Sequence, residues 1–149
     1  MLILLDCLIM LYHLILYEFP SGKLIIEHTF KEIIKDDTYE TLSSFLVAIN
    51  QFVKGFLTEQ DKLNLLSIGN LIIKMEHMKE VSLDLALVFD ANHQKKINKL
   101  VPKIKKKILE YSSLFVEWNG VNLDEFSLLK EALLGTIRKF IFNTEMEAI

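Results

Sequence analysis

The chain has 149 residues, of which 51% are hydrophobic and 25% are charged, and its formal net charge is −3. This composition excludes an intrinsically disordered chain, which would be poor in apolar residues, and it does not favour general affinity for nucleic acid. The length is that of about one domain. Cys7 is the only cysteine, so an intrachain disulfide is excluded and a reducing compartment such as the cytoplasm is expected.

The first 17 residues are apolar apart from Asp6 and His13. One interpretation is a membrane-tethered protein anchored by residues 1–17, which are close to the minimum length for a bilayer span. Asp6 would be costly in a bilayer, and the basic region and cleavage site of a signal peptide are missing. We therefore favour an apolar extension over residues 1–10, followed by a buried strand over residues 11–19.

A β-hairpin is predicted next, over residues 13–19 and 23–30. Pro20, Ser21 and Gly22 separate the two strands, and these residue types favour a tight turn. His13 and His28 are expected to face each other across this hairpin as ordinary strand histidines rather than metal ligands.

A helix is predicted over residues 38–56, with Asp37 and Glu40 as a capping box. Apolar residues at steps of three and four predict the side that faces the core. This core stripe comprises Leu42, Phe45, Leu46, Ile49, Phe52, Val53 and Phe56. Another side carries small and mildly polar residues suited to a second helix, which predicts a partner face and a homodimer or heterodimer. The candidate partner face comprises Tyr39, Ser43, Val47, Asn50 and Lys54.

Three further strands are predicted over residues 63–68, 71–76 and 81–89. Gly69 and Asn70 form a hairpin turn between the first two, and residues 78–80 form the next turn. The strict alternation over residues 81–89 is typical of a strand, and it indicates a central one. Asp84 and Asp90 are interpreted as residues of a solvated face and a turn.

Two helices complete the chain. The first is predicted over residues 92–118, with Asn92 as its cap and Pro102 as the site of a bend or restart. The second is predicted to begin after Asn122 and to end before a tail over residues 144–149.

The first of these two helices is rich in lysine. Its lysines predict either a solvated outer face or a contact with anionic lipid headgroups or an acidic partner. Nucleic acid is disfavoured, because no aromatic residues interleave with the lysines. The candidate acidic-surface contact comprises Lys95, Lys96, Lys99, Lys103, Lys106 and Lys107.

The sequence contains no motif of a catalytic, metal or cofactor site. Its four histidines lie in no HxxxH or HExxH pattern, its serines lie in no nucleophile elbow, and its five glycines are isolated. These observations predict a protein that is not an enzyme and needs no cofactor.

The predicted element order is β-β-α-β-β-β-α-α. This order, with the segments LILYEFPSGKLIIEHTF, DDTYETLSSFLVAINQFVKGF and LLSIGNLIIKMEHMKEVSLDLALVFD, resembles the longin domain over residues 12–142. Residues 45–53 look like the first longin helix, and residues 117–120 resemble the junction before the last helix in archaeal longin-like sequences. The related roadblock fold, which begins with a helix, is our second choice.

The resemblance implies an α+β domain over residues 11–143, with a single five-stranded antiparallel sheet, one helix on one face and two on the other. It also implies a non-enzymatic adaptor or regulator of a small GTPase in vesicle-mediated transport, cytoplasmic or peripheral at a membrane. Its expected partner is a small GTPase or another longin- or roadblock-type subunit. A small-molecule sensor with a pocket between sheet and helices is an alternative.

Overall fold

The computed structural model describes residues 10–34, 38–56, 63–113 and 126–147. Their helices and strands follow the predicted order, so the predicted fold class, α+β with one antiparallel sheet, is confirmed. The elements are β1 (Leu11–Glu18), β2 (Leu24–Thr29), α1 (Tyr39–Phe56), β3 (Leu65–Ile68), β4 (Leu71–Met78), β5 (Leu83–Asp90), a 3-10 turn (Ala91–His93), α2 (Gln94–Glu110) and α3 (Ser127–Glu147). The described residues divide into a sheet unit, those between residues 11 and 91, and a helix unit, Met10 together with those between residues 92 and 147.

The sheet unit contains an open five-stranded sheet in the order β2-β1-β5-β4-β3, with every neighbouring pair antiparallel. β1 and β5 are central, so each is hydrogen-bonded on both sides. Residues 11–17 of the suggested membrane anchor therefore form a central strand, and the anchor interpretation is wrong for them. Residues 1–9 and Cys7 lie outside the described residues. None of the helices in the described part of the chain has the length and apolarity needed to cross a bilayer.

The turns of the sheet unit depend on residues with positive φ. Gly22 (φ 77°) and Gly69 (φ 60°) occupy the two predicted hairpin turns, as the freedom of glycine allows. A side chain at Gly22 would also meet α1, because its Cβ would lie 3.3 Å from the Cα of Ser44. β5 begins at Leu83 rather than residue 81, since Ser82 itself takes a left-handed φ of 54°.

Helix α1 is rotated relative to the prediction. Leu46 of the predicted core stripe is buried as expected, but two residues of the stripe face solvent, since Phe45 is 51% exposed and Phe52 is 70% exposed. Four residues of the predicted partner face are instead buried in the sheet unit, and Lys54 is exposed. The buried four are Tyr39, Ser43, Val47 and Asn50.

Hydrogen bonds from α1 explain this rotation. The Ser43 hydroxyl donates to the Gly22 carbonyl at 2.8 Å, and the Tyr39 hydroxyl bonds to Thr29 on β2. The Asn50 Oδ1 accepts the backbone N–H of Leu63 at 2.7 Å. The sheet presents polar groups to this helix, so its polar side chains lie inside and two of its phenylalanines lie outside.

The helix unit contains α2 and α3. The apolar side of α2 is buried as predicted, and the helix continues through Pro102 without a break to Glu110, not to residue 118. Its N-cap residue is His93, whose side chain makes no capping bond, so Asn92 is not the cap. α3 continues to Glu147, so the predicted tail begins too early. The predicted caps Asp37 and Asn122 lie outside the described residues, and the placement of both helices against the sheet stays a prediction.

Candidate functional site

The predicted lysine cluster lies on the solvent side of α2. Five of its six lysines are exposed, and Lys107 is partly exposed. At 100° per residue, the lysines at positions 96, 99, 103, 106 and 107 share one side of α2, which we call the basic face. The segment Gln94–Glu110 contains seven lysines and one glutamate, a formal charge of +6, so the remaining residues together carry −9. The basic face is therefore the main concentration of positive charge in a chain that is acidic overall.

A groove between α2 and α3 continues this basic face. Its volume is about 600 Å³, and we call it the lysine groove. The lysines that line it are Lys103, Lys106 and Lys107 from α2 and Lys139 from α3. Lys107 Nζ donates to Glu110 Oε2 at 3.0 Å, so the four lysines and this glutamate leave a formal charge of +3. Like charges three or four residues apart destabilise a helix slightly, so stability does not account for this arrangement.

Lys139 was missed by sequence analysis. It follows Arg138 on α3, and nothing in its local pattern separates it from other surface lysines. Packing of α3 against α2 within the helix unit brings it to the groove. Ala132, Gly135 and Thr136 line the α3 side of the groove, and the Thr136 hydroxyl donates to the carbonyl of Ala132 at 2.9 Å. These small side chains leave the space that the lysines surround.

A second polar cluster lies in the middle of the sheet. Asp84 on β5 is the pairing partner of both Tyr17 on β1 and His77 on β4. Asp84 is only 2% exposed, and its carboxylate accepts a hydrogen bond from Nδ1 of His77. The interpretation of Asp84 as a solvated residue is therefore wrong. Because β5 is a central strand and α1 covers this face, a carboxylate here needs a partner, and the neighbouring strand provides it.

The Tyr17 hydroxyl is buried in the same row. Among the described residues it has no hydrogen-bond partner. Burial, and then the negative charge of Asp84, raise the pKa of Tyr17 above its ordinary value. Tyr17 therefore keeps its proton to a higher pH in the folded protein than in the unfolded chain.

A pocket of about 280 Å³ borders this cluster. It is lined by Asn50, Leu63, Asn64, Met75, Glu76, His77 and Asp84. Ligand pockets usually measure about 300–1,000 Å³, and two of the polar groups here, Asn50 and Asp84, already hold protein partners. This pocket is thus a weak candidate for the ligand site of a sensor.

His13 belongs to a third, buried cluster. Its Nε2 accepts the backbone N–H groups of Ile33 at 3.1 Å and Ile34 at 3.0 Å, so the ring proton lies on Nδ1, which bonds to the Tyr39 hydroxyl. This neutral histidine attaches the segment after β2, and the start of α1, to β1. The expected pairing of His13 with His28 is wrong, because the register pairs His13 with Thr29 and His28 with Leu14.

The described part of the chain contains no group of three His, Cys, Asp or Glu side chains that could hold a metal ion. The lysine groove is therefore the candidate functional site, since its charged groups are exposed whereas those of the two sheet clusters are used within the fold.

Comparisons of the chain with protein-family models and with curated proteins find no match. The resemblance to the longin domain rests on the element order and the segments quoted above, and it stays a prediction.

Proposed function

We propose that this protein is a non-enzymatic interaction module, a longin-like adaptor or regulator of a small GTPase in membrane-trafficking-type processes. The observation that carries the proposal is the element order β-β-α-β-β-β-α-α, with its five strands in one open antiparallel sheet. These are the order and the sheet that the longin resemblance implies. A fold alone does not specify a function, so the proposal also needs a surface on which a partner could dock.

Two features of the sheet unit support docking of a protein. The sheet is open, with β2 and β3 at its edges, and edge strands can extend a sheet into a partner. The outer side of α1 carries Phe45 and Phe52, which are seven residues apart and so lie about two turns, or 10 Å, from each other on one side of the helix. Exposed aromatic side chains are enriched at the centres of protein interfaces.

Direct binding titrations with purified small GTPases, each in its GDP form and with a GTP analogue, test the proposal. We expect binding to one nucleotide state, and at least about tenfold weaker binding by the variant Phe45→Ser/Phe52→Ser, since buried interface aromatics typically dominate affinity.

The matched control is Leu128→Ser/Phe142→Ser, which removes exposed apolar side chains from the helix unit and should leave the affinity unchanged. A correctly folded protein that binds no GTPase in either state would contradict the proposal.

A further inference from the structure

The basic face of α2 is long and continuous with the lysine groove. Lys96, Lys99, Lys103 and Lys106 recur at steps of three and four residues and extend over about 15 Å of helix. Toward the C-terminal end of α2, the basic face borders the lysine groove, which Lys107 and Lys139 also line. A single phosphate group is much smaller than this surface, so its dimensions favour an extended array of anions.

Exposed apolar side chains lie beside the groove on α3. Leu128 is 71% exposed and Phe142 is 50% exposed. At 100° per residue, Leu128 lies within about 20° of Lys139 around the helix, and Phe142 lies about 60° from it. Both therefore lie on the side of α3 that presents Lys139. Lysines flanked by exposed Leu and Phe are typical of surfaces that bind the membrane interface.

We propose that the lysine groove, the basic face and the flanking side chains of Leu128 and Phe142 form a surface that docks on an anionic membrane. The lysine ammonium groups would contact phosphate-bearing headgroups, and the two apolar side chains would enter the interfacial region. This inference deepens the proposed function, because it names the surface at which the adaptor would work. A soluble phosphorylated molecule would not use Leu128 and Phe142, whereas a membrane interface accommodates both the lysines and these apolar side chains.

Vesicle flotation of the full chain tests this surface. The vesicles contain phosphatidylcholine alone, or with phosphatidylserine or a polyphosphorylated phosphatidylinositol. We expect binding to the anionic vesicles and release by high salt. The variant Lys103→Gln/Lys106→Gln should partition about 25-fold more weakly, since each lysine near an anionic surface contributes about fivefold.

The matched control is Lys54→Gln/Lys79→Gln, which makes the same change in net charge at exposed positions of the sheet unit and should bind vesicles like the unaltered protein. A second variant, Phe142→Ser, should weaken binding to vesicles but not to soluble inositol hexakisphosphate. The lysine variant should weaken binding to both. Thermal unfolding should change only slightly in these variants, since the changed lysines are exposed and Phe142 is half-exposed.

Absence of binding to every anionic vesicle would overturn the inference. So would equal losses in the two lysine variants, because they would indicate a response to net charge alone. Binding to inositol hexakisphosphate or to single-stranded RNA without binding to vesicles would identify an anion site of another kind. Flotation requires no GTPase, so its failure leaves the GTPase titration intact, and failure of that titration leaves the membrane surface intact.

Discussion

In the sheet unit, polar residues that look exposed in the sequence are buried and hydrogen-bonded, whereas in the helix unit the lysines that look exposed remain in solvent. Asp84 is 2% exposed and bonded to His77, and Ser43 and Asn50 hold α1 on the sheet. In the lysine groove, by contrast, Lys103, Lys106 and Lys139 are all exposed. Polar groups that maintain a fold are paired inside it, so the charges that remain in solvent are the ones available to a ligand.

The buried side of α1 is where a substitution should have the largest effect. We expect Val47→Asp to lower the free energy of unfolding by about 3–5 kcal/mol, because Val47 is 5% exposed and a carboxylate there would be buried without a partner. Phe52→Asp, on the outer side of the same helix, should cost less than about 1 kcal/mol. Urea denaturation measures both. An equal loss of stability in the two variants, or a larger loss in Phe52→Asp, would show that the predicted core stripe is the buried side of α1.

The His77–Asp84 pair gives the next largest effect. His77→Ala leaves the Asp84 carboxylate buried without its partner, so the free energy of unfolding should fall by about 3 kcal/mol. Urea denaturation at neutral pH checks this value. A loss below about 1 kcal/mol would show that Asp84 is solvated after all, as its residue type suggests. His93→Ala, in the partly exposed 3-10 turn, is the matched control.

Alkaline pH tests the burial of Tyr17. Because the pKa of Tyr17 is raised in the folded protein, the unfolded chain loses this proton first, near pH 10. The contribution to stability is therefore complete below about pH 10 and is lost as the pH rises further, with a slope of at most about 1.4 kcal/mol per pH unit. Urea denaturation of Tyr17→Phe between about pH 8 and 11 should lack this part of the slope. Identical slopes would mean that the hydroxyl ionises as freely in the folded protein as in the unfolded chain.

The smallest effect is expected for the ion pair in the lysine groove. The side chains of Lys107 and Glu110 are 33% and 46% exposed, and exposed pairs of this kind usually contribute about 0.5 kcal/mol or less. A double-mutant cycle with Lys107→Ala and Glu110→Ala should give a coupling energy of that size. A coupling energy as large as the loss expected for His77→Ala would show that this exposed pair stabilises the fold as much as the buried pair does.

The strands were predictable because each follows its own local pattern. The alternation over residues 81–89 predicted β5 and its central position, and Gly22 and Gly69 predicted the two hairpin turns. The basic face of α2 was predictable for the same reason, because its buried apolar side is regular and its lysines lie opposite. The start of β5 was predicted two residues too early, because no local pattern indicates the left-handed φ of Ser82.

The rotation of α1 was not predictable from its periodicity. Two stripes, one apolar and one small and polar, follow the same helical spacing, and hydrophobicity favoured the first. The choice depended on the Gly22 carbonyl and on Thr29 of β2, which lie beneath the helix and bind Ser43 and Tyr39. A residue scale for hydrophobicity contains no information about such partners.

The order of the elements, the turns between the strands and the lysine-rich side of α2 follow from the sequence alone, because each depends on residues within one element or its immediate neighbours. Contacts between elements set which side of α1 is buried, pair Asp84 with His77, and add Lys139 to the lysine groove. Each of these joins residues from separate elements. Their proximity follows from strand register and helix packing, which local periodicity does not encode.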